Sequence, residues 1–206
     1  MFKTYFKFGT MDSSKTANLL VVVHNYKTKG VMTYLLTPKQ DNRSGEGTIE
    51  SRIGLSAKAD FIIDGTNGKV QDLLHFISKA YKEDAVLFID ECQFLSYDLV
   101  KTVTEWCRQL DCDSADNPHE NFNLLAYGLL TDFNNKLFDG TRAWLEEADS
   151  IHEIKTVCHF CNKKATCNYL DKKVAEKAKG NLLIGDKAYI PVCSHHYYQL
   201  MKGESN

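Results

Sequence analysis

Five consecutive apolar residues, Ala85-Val86-Leu87-Phe88-Ile89, run directly into two carboxylates, Asp90 and Glu91. A continuous apolar run of that length fits a strand buried on both faces, as in a parallel sheet covered by helices. The flanking sequence repeats the theme. Residues 4–8, 31–36, 60–63 and 124–127 read as further strands, the second closed by Pro38. Residues 15–28 read as a helix, and Val70, Leu73, Leu74 and Ile77 give residues 70–81 helical spacing. Residues 97–110 are amphipathic and helical. Strands alternating with helices imply right-handed βαβ units, hence an α/β fold around a mostly parallel sheet. The polar stretch 39–54, with Gly45 and Gly47, is expected to be a mobile loop, and the acidic stretch 111–121 a surface loop.

Between the first strand and the first helix lies Gly9-Thr10-Met11-Asp12-Ser13-Ser14-Lys15-Thr16. A phosphate-binding loop needs this context, because its backbone N–H groups wrap phosphates at the positive end of a helix. Lys15 would reach the β- and γ-phosphates and Thr16 would ligate Mg²⁺. The usual pattern has a second glycine where this chain has Ser14. Ser13 or Ser14 would equally serve as a plain helix cap, so the loop alone does not separate the two readings. The Asp90-Glu91 strand end favours the phosphate loop. In nucleotide-binding folds such an acid holds Mg²⁺, and a neighbouring glutamate can take a hydroxyl proton. Two solvated acids at a strand end are the plainer alternative.

From about residue 156 the character changes. Cys158-His159-Phe160-Cys161 and Cys193-Ser194-His195-His196 form two paired halves, separated by a lysine-rich segment over 172–179. Cys158, Cys161, Cys193 and His196 supply three thiolates and one imidazole, a tetrahedral Zn²⁺ set with no open position, so the metal is expected to be structural. A set of buried free thiols is the alternative. Cys92, Cys107, Cys112 and Cys167 fit no ligand spacing. The expected organisation is a nucleotide-binding domain over residues 1–155 and a zinc-binding subdomain with a lid loop over 156–206. Seven cysteines make an odd count, which argues against a complete disulfide framework. No apolar run is long enough to span a membrane, and residues 1–7 lack the core of a secretion signal, so a cytoplasmic location is expected. A net charge of −2 argues against a broad nucleic-acid or membrane surface.

With these blocks in order, the chain resembles the zinc-containing thymidine kinase family, especially its bacterial members. The resemblance runs from Tyr5-Phe6 and Met11 through Ser51-Arg52-Ile53-Gly54-Leu55, Asp90-Glu91-Cys92-Gln93-Phe94-Leu95 and Tyr127-Gly128-Leu129. It continues in Thr131-Asp132-Phe133, Phe138-Asp139-Gly140, Cys158 to Ala165, Ile184-Gly185 and Tyr189 to Cys193. It implies ATP-dependent phosphorylation of thymidine, dTTP as feedback inhibitor and a homotetramer. It implies Glu91 as the base that takes the 5′-hydroxyl proton, with Arg43 neutralising charge on the transferring group. Asp41 and Asp90 would stand with Thr16 near Mg²⁺, and residues Gly9 to Thr16 would hold the phosphates. Met11, Phe94, Leu129, Phe133, Phe138, Ile184, Gly185 and Tyr189 would surround the nucleoside, with the zinc anchoring the loop that carries Tyr189.

The departures from the family pattern are Ser14, where the family has glycine, and Asp12, where bacterial members often have asparagine. Leu130, Asn134 and Ser194 stand where bacterial relatives commonly have arginine. Crowding by Ser14 and the charge of Asp12 are expected to weaken ATP. That leaves a second reading, a homologue that binds thymidine or its triphosphate and phosphorylates poorly. A zinc-ribbon nucleic-acid binder is disfavoured by the negative net charge and the absence of a basic stripe.

Overall fold

The computed structural model describes residues 1–65, 69–113, 119–170 and 188–203. Its main sheet has six strands. They are β1 (Thr4–Phe8), β2 (Thr33–Pro38), β5 (Phe61–Ile63), β6 (Val86–Ile89), β7 (Leu124–Gly128) and β8 (Ser150–Glu153). The order is β5-β2-β6-β7-β1-β8, and every neighbouring pair is parallel. The helices α1 (Lys15–Thr28), α2 (Lys69–Lys82), α3 (Tyr97–Asp113) and α4 (Asp139–Glu147) cover it.

The apolar run over 85–89 is explained by its place. β6 is the third strand in the order and all four of its residues are buried. Its side chains alternate between two cores, as the pleat requires. Val86 and Phe88 pack with Leu19 and Val23 of α1. Leu87 and Ile89 pack with Leu73 and Ile77 of α2 and Val100 and Val103 of α3. Because all six strands run the same way, the segments that follow β1, β2, β6 and β7 leave the sheet at one edge. Ligands of open parallel sheets bind at that edge.

The stretch 39–54 is not simply a loop. Thr48–Glu50 forms β3 and pairs antiparallel with β4, Ser56–Lys58. Ile49 is fully buried in the α1-side core, and the Ala59 N–H donates to the Gly47 carbonyl at 2.8 Å. A single buried isoleucine fixes the hairpin, which polar composition alone does not reveal. The acidic stretch 111–121 divides: residues 111–113 close α3, Asn121 is bonded to Asp84, and 114–118 lie outside the described residues.

In the C-terminal part, β9 (Cys167–Leu170) pairs antiparallel with β10 (Tyr189–Val192), followed by α5 (Ser194–Lys202). The lysine-rich segment 172–179 lies outside the described residues. Hydrogen bonds of Tyr197 and Asn168 tie this small unit to the main sheet's loops. The Tyr197 hydroxyl donates to the Phe133 carbonyl at 2.7 Å. Buried Asn168 accepts from the Met11 N–H at 2.8 Å and donates to the Thr131 carbonyl at 3.3 Å.

Candidate active site

The segment between β1 and α1 turns tightly. A Cβ at Gly9 would lie 2.3 Å from Ser13 Oγ and 2.4 Å from the Ile154 carbonyl, so glycine is required there. Asp12 and Ser14 both have φ of 59°, the left-handed region that favours glycine. Ser14 occupies the N-cap of α1 but makes no side-chain cap bond. The capping alternative therefore loses its main support, and the backbone at Ser14 is the one a glycine would adopt without strain.

Lys15 is buried and curls over this loop. Its Nζ donates to the Thr10 carbonyl at 2.8 Å and lies 3.5 Å from Ser13 Oγ. Burial lowers its pKa, while the charges of Glu91 and Asp90 work the other way. At the second residue of the helix, Thr16 Oγ1 donates to Asp90 Oδ2 at 2.9 Å. Asp90 lies at the end of β6, where burial and then the Glu91 charge push its pKa up.

Glu91 follows with φ of 48°, a further left-handed residue that is not glycine. Such strain persists where surrounding structure over-determines it, commonly at functional sites. Here Arg43 Nη2 donates to Glu91 Oε1 at 2.5 Å and Gln93 Nε2 donates to Oε2 at 2.6 Å. Burial opposes ionisation of Glu91, but Arg43 and Lys15 outweigh it and hold the carboxyl below its ordinary value. Gln93 is fixed in turn by the Leu129 N–H, which donates to its Oε1 at 3.0 Å. Gly128 makes room for this, because a Cβ there would lie 2.6 Å from Gln93 Oε1. Arg43 also grips Asp41, with Nε donating to Oδ1 at 2.7 Å and Nη2 to Oδ2 at 3.3 Å. The guanidinium thus bridges two buried carboxylates, and its charge is locked on.

Of these groups Lys15, Thr16, Arg43 and Glu91 line a cleft of about 220 Å³ that also takes in Met11, Asp12, Ser14, Ser51, Arg52 and Ile53. Arg52, in the turn between β3 and β4, pairs with Asp12. The Asp12 charge is therefore met by a guanidinium, a partner the sequence did not disclose. Gly9 and Thr10 face a second cavity, with Leu130, Thr131, Lys164 and Asn168 on its wall.

The residues expected at the nucleoside divide into groups. The Phe94 and Phe138 rings meet edge-on, 6.3 Å between centroids. Gly140 holds that contact by pressing against the Cys92–Phe94 turn, where a Cβ would fall 2.3 Å from the Leu95 carbonyl. Phe133 and Tyr189 stand 6.3 Å apart. Tyr189 is the first residue of β10, and Leu129 is anchored on Gln93. Ile184 and Gly185 lie outside the described residues. Sequence reasoning passed over Gln93, Asn168 and Arg52 as site residues. Gln93 stood beside the two acids and Arg52 lay in one of the blocks of resemblance, each without a role, and nothing in a linear sequence marks Asn168.

At the other end, the ligand atoms of Cys158, Cys161, Cys193 and His196 all lie within 4.8 Å of one another. Among the described residues this is the one such cluster, and every cysteine is free. Cys161 Sγ to Cys193 Sγ is 3.9 Å, and His196 Nδ1 lies 3.4, 3.7 and 3.2 Å from the sulfurs of Cys158, Cys161 and Cys193. A tetrahedron with Zn–S near 2.3 Å has its sulfurs about 3.8 Å apart. Burial works against a Cys158 thiolate, but the N–H groups of Cys193, Phe160 and Cys161 win and bring its pKa down to about 6. The donor set fits a structural zinc. Thr16 Oγ1 and the Asp90 carboxylate offer hard oxygen donors of the kind Mg²⁺ takes.

A buried lysine curled over a strand-to-helix loop, a strand-end acid and an arginine-held glutamate at one edge of a parallel sheet are the arrangement of a P-loop phosphotransferase. Comparison with known proteins gives the narrower answer. The sequence profile "Thymidine kinase" matches residues 3–197. A thymidine kinase of Enterococcus faecalis is 40% identical over 200 residues, covering 96% of this chain and 95% of that one. Thymidine kinases of Lactococcus lactis and Streptococcus agalactiae are 36% and 37% identical, each covered to 98%. The chain belongs to the thymidine kinase family. Among solved structures, Pif1 helicase from Candida albicans aligns at 16% identity with a TM-score of 0.41, over 74% of this chain and 36% of that one, a likeness too weak to bear on function. No helix among the described residues is long and apolar enough to cross a membrane.

Proposed function

We propose that this chain transfers the γ-phosphate of ATP to the 5′-hydroxyl of thymidine, with Glu91 as the general base. The observation that carries the reading is the convergence of Lys15, Thr16, Arg43 and Glu91 on one cleft, with buried Asp90 bonded to Thr16 behind it. The loop from Gly9 to Thr16 binds the phosphates, with Lys15 turning its ammonium from the Thr10 carbonyl onto them. Glu91, ionised and aimed by Gln93, accepts the hydroxyl proton as the oxygen attacks phosphorus. Arg43 stays charged beside it and stabilises the negative charge on the transferring group. Thr16 and Asp90, with Asp41 nearby, would hold Mg²⁺, whose contribution when bound is to neutralise phosphate charge.

Met11, Phe94, Leu129, Phe133, Phe138 and Tyr189, with Ile184 and Gly185, form the nucleoside pocket, which suits a flat methylated pyrimidine better than a purine. Residues 1–155 are the kinase domain and 156–206 the zinc-stapled lid. We include dTTP as feedback inhibitor, a homotetrameric assembly, a cytoplasmic setting and no nucleic-acid partner in this reading. Replacing Glu91 by glutamine keeps its size and removes the base. Steady-state kinetics should show kcat lower by about 10²-fold or more with the KM for ATP little changed. An unchanged kcat removes Glu91 from the mechanism.

A further inference from the structure

Three cations line the cleft among the described residues, and they are committed to different degrees. Lys15 is buried and bonded to its own loop. Arg43 spans Asp41 and Glu91, both buried. Arg52 lies at the open side, in the turn that joins β3 to β4, and pairs with Asp12 of the phosphate loop. Here both side chains are solvent-accessible, at 39% and 40%. Water screens such a pair, so it is weak and easily exchanged.

That weakness matters because of where the pair sits. Asp12 belongs to the loop on which the phosphates would rest. An anion seated there repels the Asp12 carboxylate, and the same anion attracts the guanidinium beside it. Guanidinium forks onto phosphate oxygens with two parallel N–H bonds, and a triphosphate presents more charge than one carboxylate. Both changes push Arg52 the same way.

We propose that Arg52 is a phosphate-binding residue of this chain, held on Asp12 before nucleotide binds and handed to the phosphates when ATP enters. The proposal rests on the kinase reading above. The Asp12–Arg52 pair is then a latch that ATP opens by exchange, drawing the β3–β4 turn over its phosphates. It differs from a simple shield, in which Arg52 stays on Asp12 and cancels its charge throughout.

A double-mutant cycle separates the two by its sign. ATP binding is measured directly on wild type, Asp12→Asn, Arg52→Gln and the double variant, and thymidine phosphorylation is followed on the same preparations. Exchange predicts that Asp12→Asn tightens ATP by about three- to fivefold when Arg52 is present, the scale of one exposed ion pair. In the Arg52→Gln background the same change should help less, because no pair remains to be broken. Arg52→Gln alone should weaken ATP, and none of the four proteins should differ in binding adenosine. The reverse order, with Asp12→Asn helping more once Arg52 is gone, makes Arg52 a shield and overturns the proposal. Additive effects overturn it as well. A wild-type chain that neither binds ATP nor phosphorylates thymidine overturns the kinase reading itself, an outcome distinct from both.

Discussion

Three residues of the site, Asp12, Ser14 and Glu91, hold left-handed backbone without being glycine, and Ser14 and Glu91 do so for different reasons. Glu91 is fixed by Arg43 and Gln93, so its strain comes with aim. Ser14 has no side-chain cap bond to compensate it. A left-handed residue with a Cβ costs about 1–2 kcal/mol, and glycine's extra freedom in the unfolded chain returns about 0.5–1 kcal/mol of any gain. Ser14→Gly should therefore stabilise by about 1 kcal/mol or less and raise the thermal midpoint by up to about 4 °C. A lower midpoint in a calorimetric scan would show that the Ser14 hydroxyl supports the loop after all. The lysine, threonine and paired acids were legible in the sequence because their chemistry comes with fixed spacing. The roles of Gln93, Asn168 and Arg52 were not, because Gln93 is itself fixed by a partner 36 residues away, Asn168 bonds Met11 at 157 residues and Arg52 meets Asp12 across the cleft.

At the level of elements, α4 shows what sequence pattern could not reach. Its nine residues bury Trp144, whose Nε1 donates to the Cys92 carbonyl at 3.2 Å and so braces the turn behind Glu91. Its last residue, Glu147, accepts from Lys101, Arg108 and Thr104 of α3. So short a helix carries too few turns for periodicity to show. The three-residue strands β3 and β4 escape for the same reason, and β8 does because it is an edge strand of mixed exposure. The central strands and the long helices were legible, because buried parallel strands leave continuous apolar runs. Burial opposes ionisation of Glu147, but Lys101 and Arg108 outweigh it and hold its pKa below the ordinary value. A carboxyl depressed by folding contributes stability above its unfolded pKa and loses it as pH falls. Glu147→Gln should cost about 1 kcal/mol at neutral pH, a modest figure because both cations are partly exposed. Urea unfolding should show that gap closing below about pH 4. A gap of equal size at both pH values would mean that the charge is not what Glu147 contributes.

Across the whole molecule, the Cys158, Cys161, Cys193 and His196 cluster and the loop between β1 and α1 are tied together by hydrogen bonds. Asn168 of β9, paired with Pro191 on the strand that leads into Cys193, accepts from the Met11 N–H, and Tyr197 of α5, next to His196, donates to the Phe133 carbonyl. Losing the cluster therefore loosens both the phosphate loop and the 129–133 segment. Purified protein should contain about one zinc per chain by elemental analysis, and the Cys158→Ser/Cys193→Ser double variant should contain none. Zinc retained at full stoichiometry in that variant would move the metal elsewhere. The central claim is narrower than any of these, namely that one cleft carries phosphate from ATP to the 5′-hydroxyl of thymidine. Incubation with γ-labelled ATP and thymidine tests it directly. The account predicts label in thymidine 5′-monophosphate, one ADP formed for each, and no transfer to 5′-deoxythymidine, which lacks the accepting hydroxyl. Label released only as inorganic phosphate, or an unlabelled thymidine pool after ATP is consumed, would contradict it.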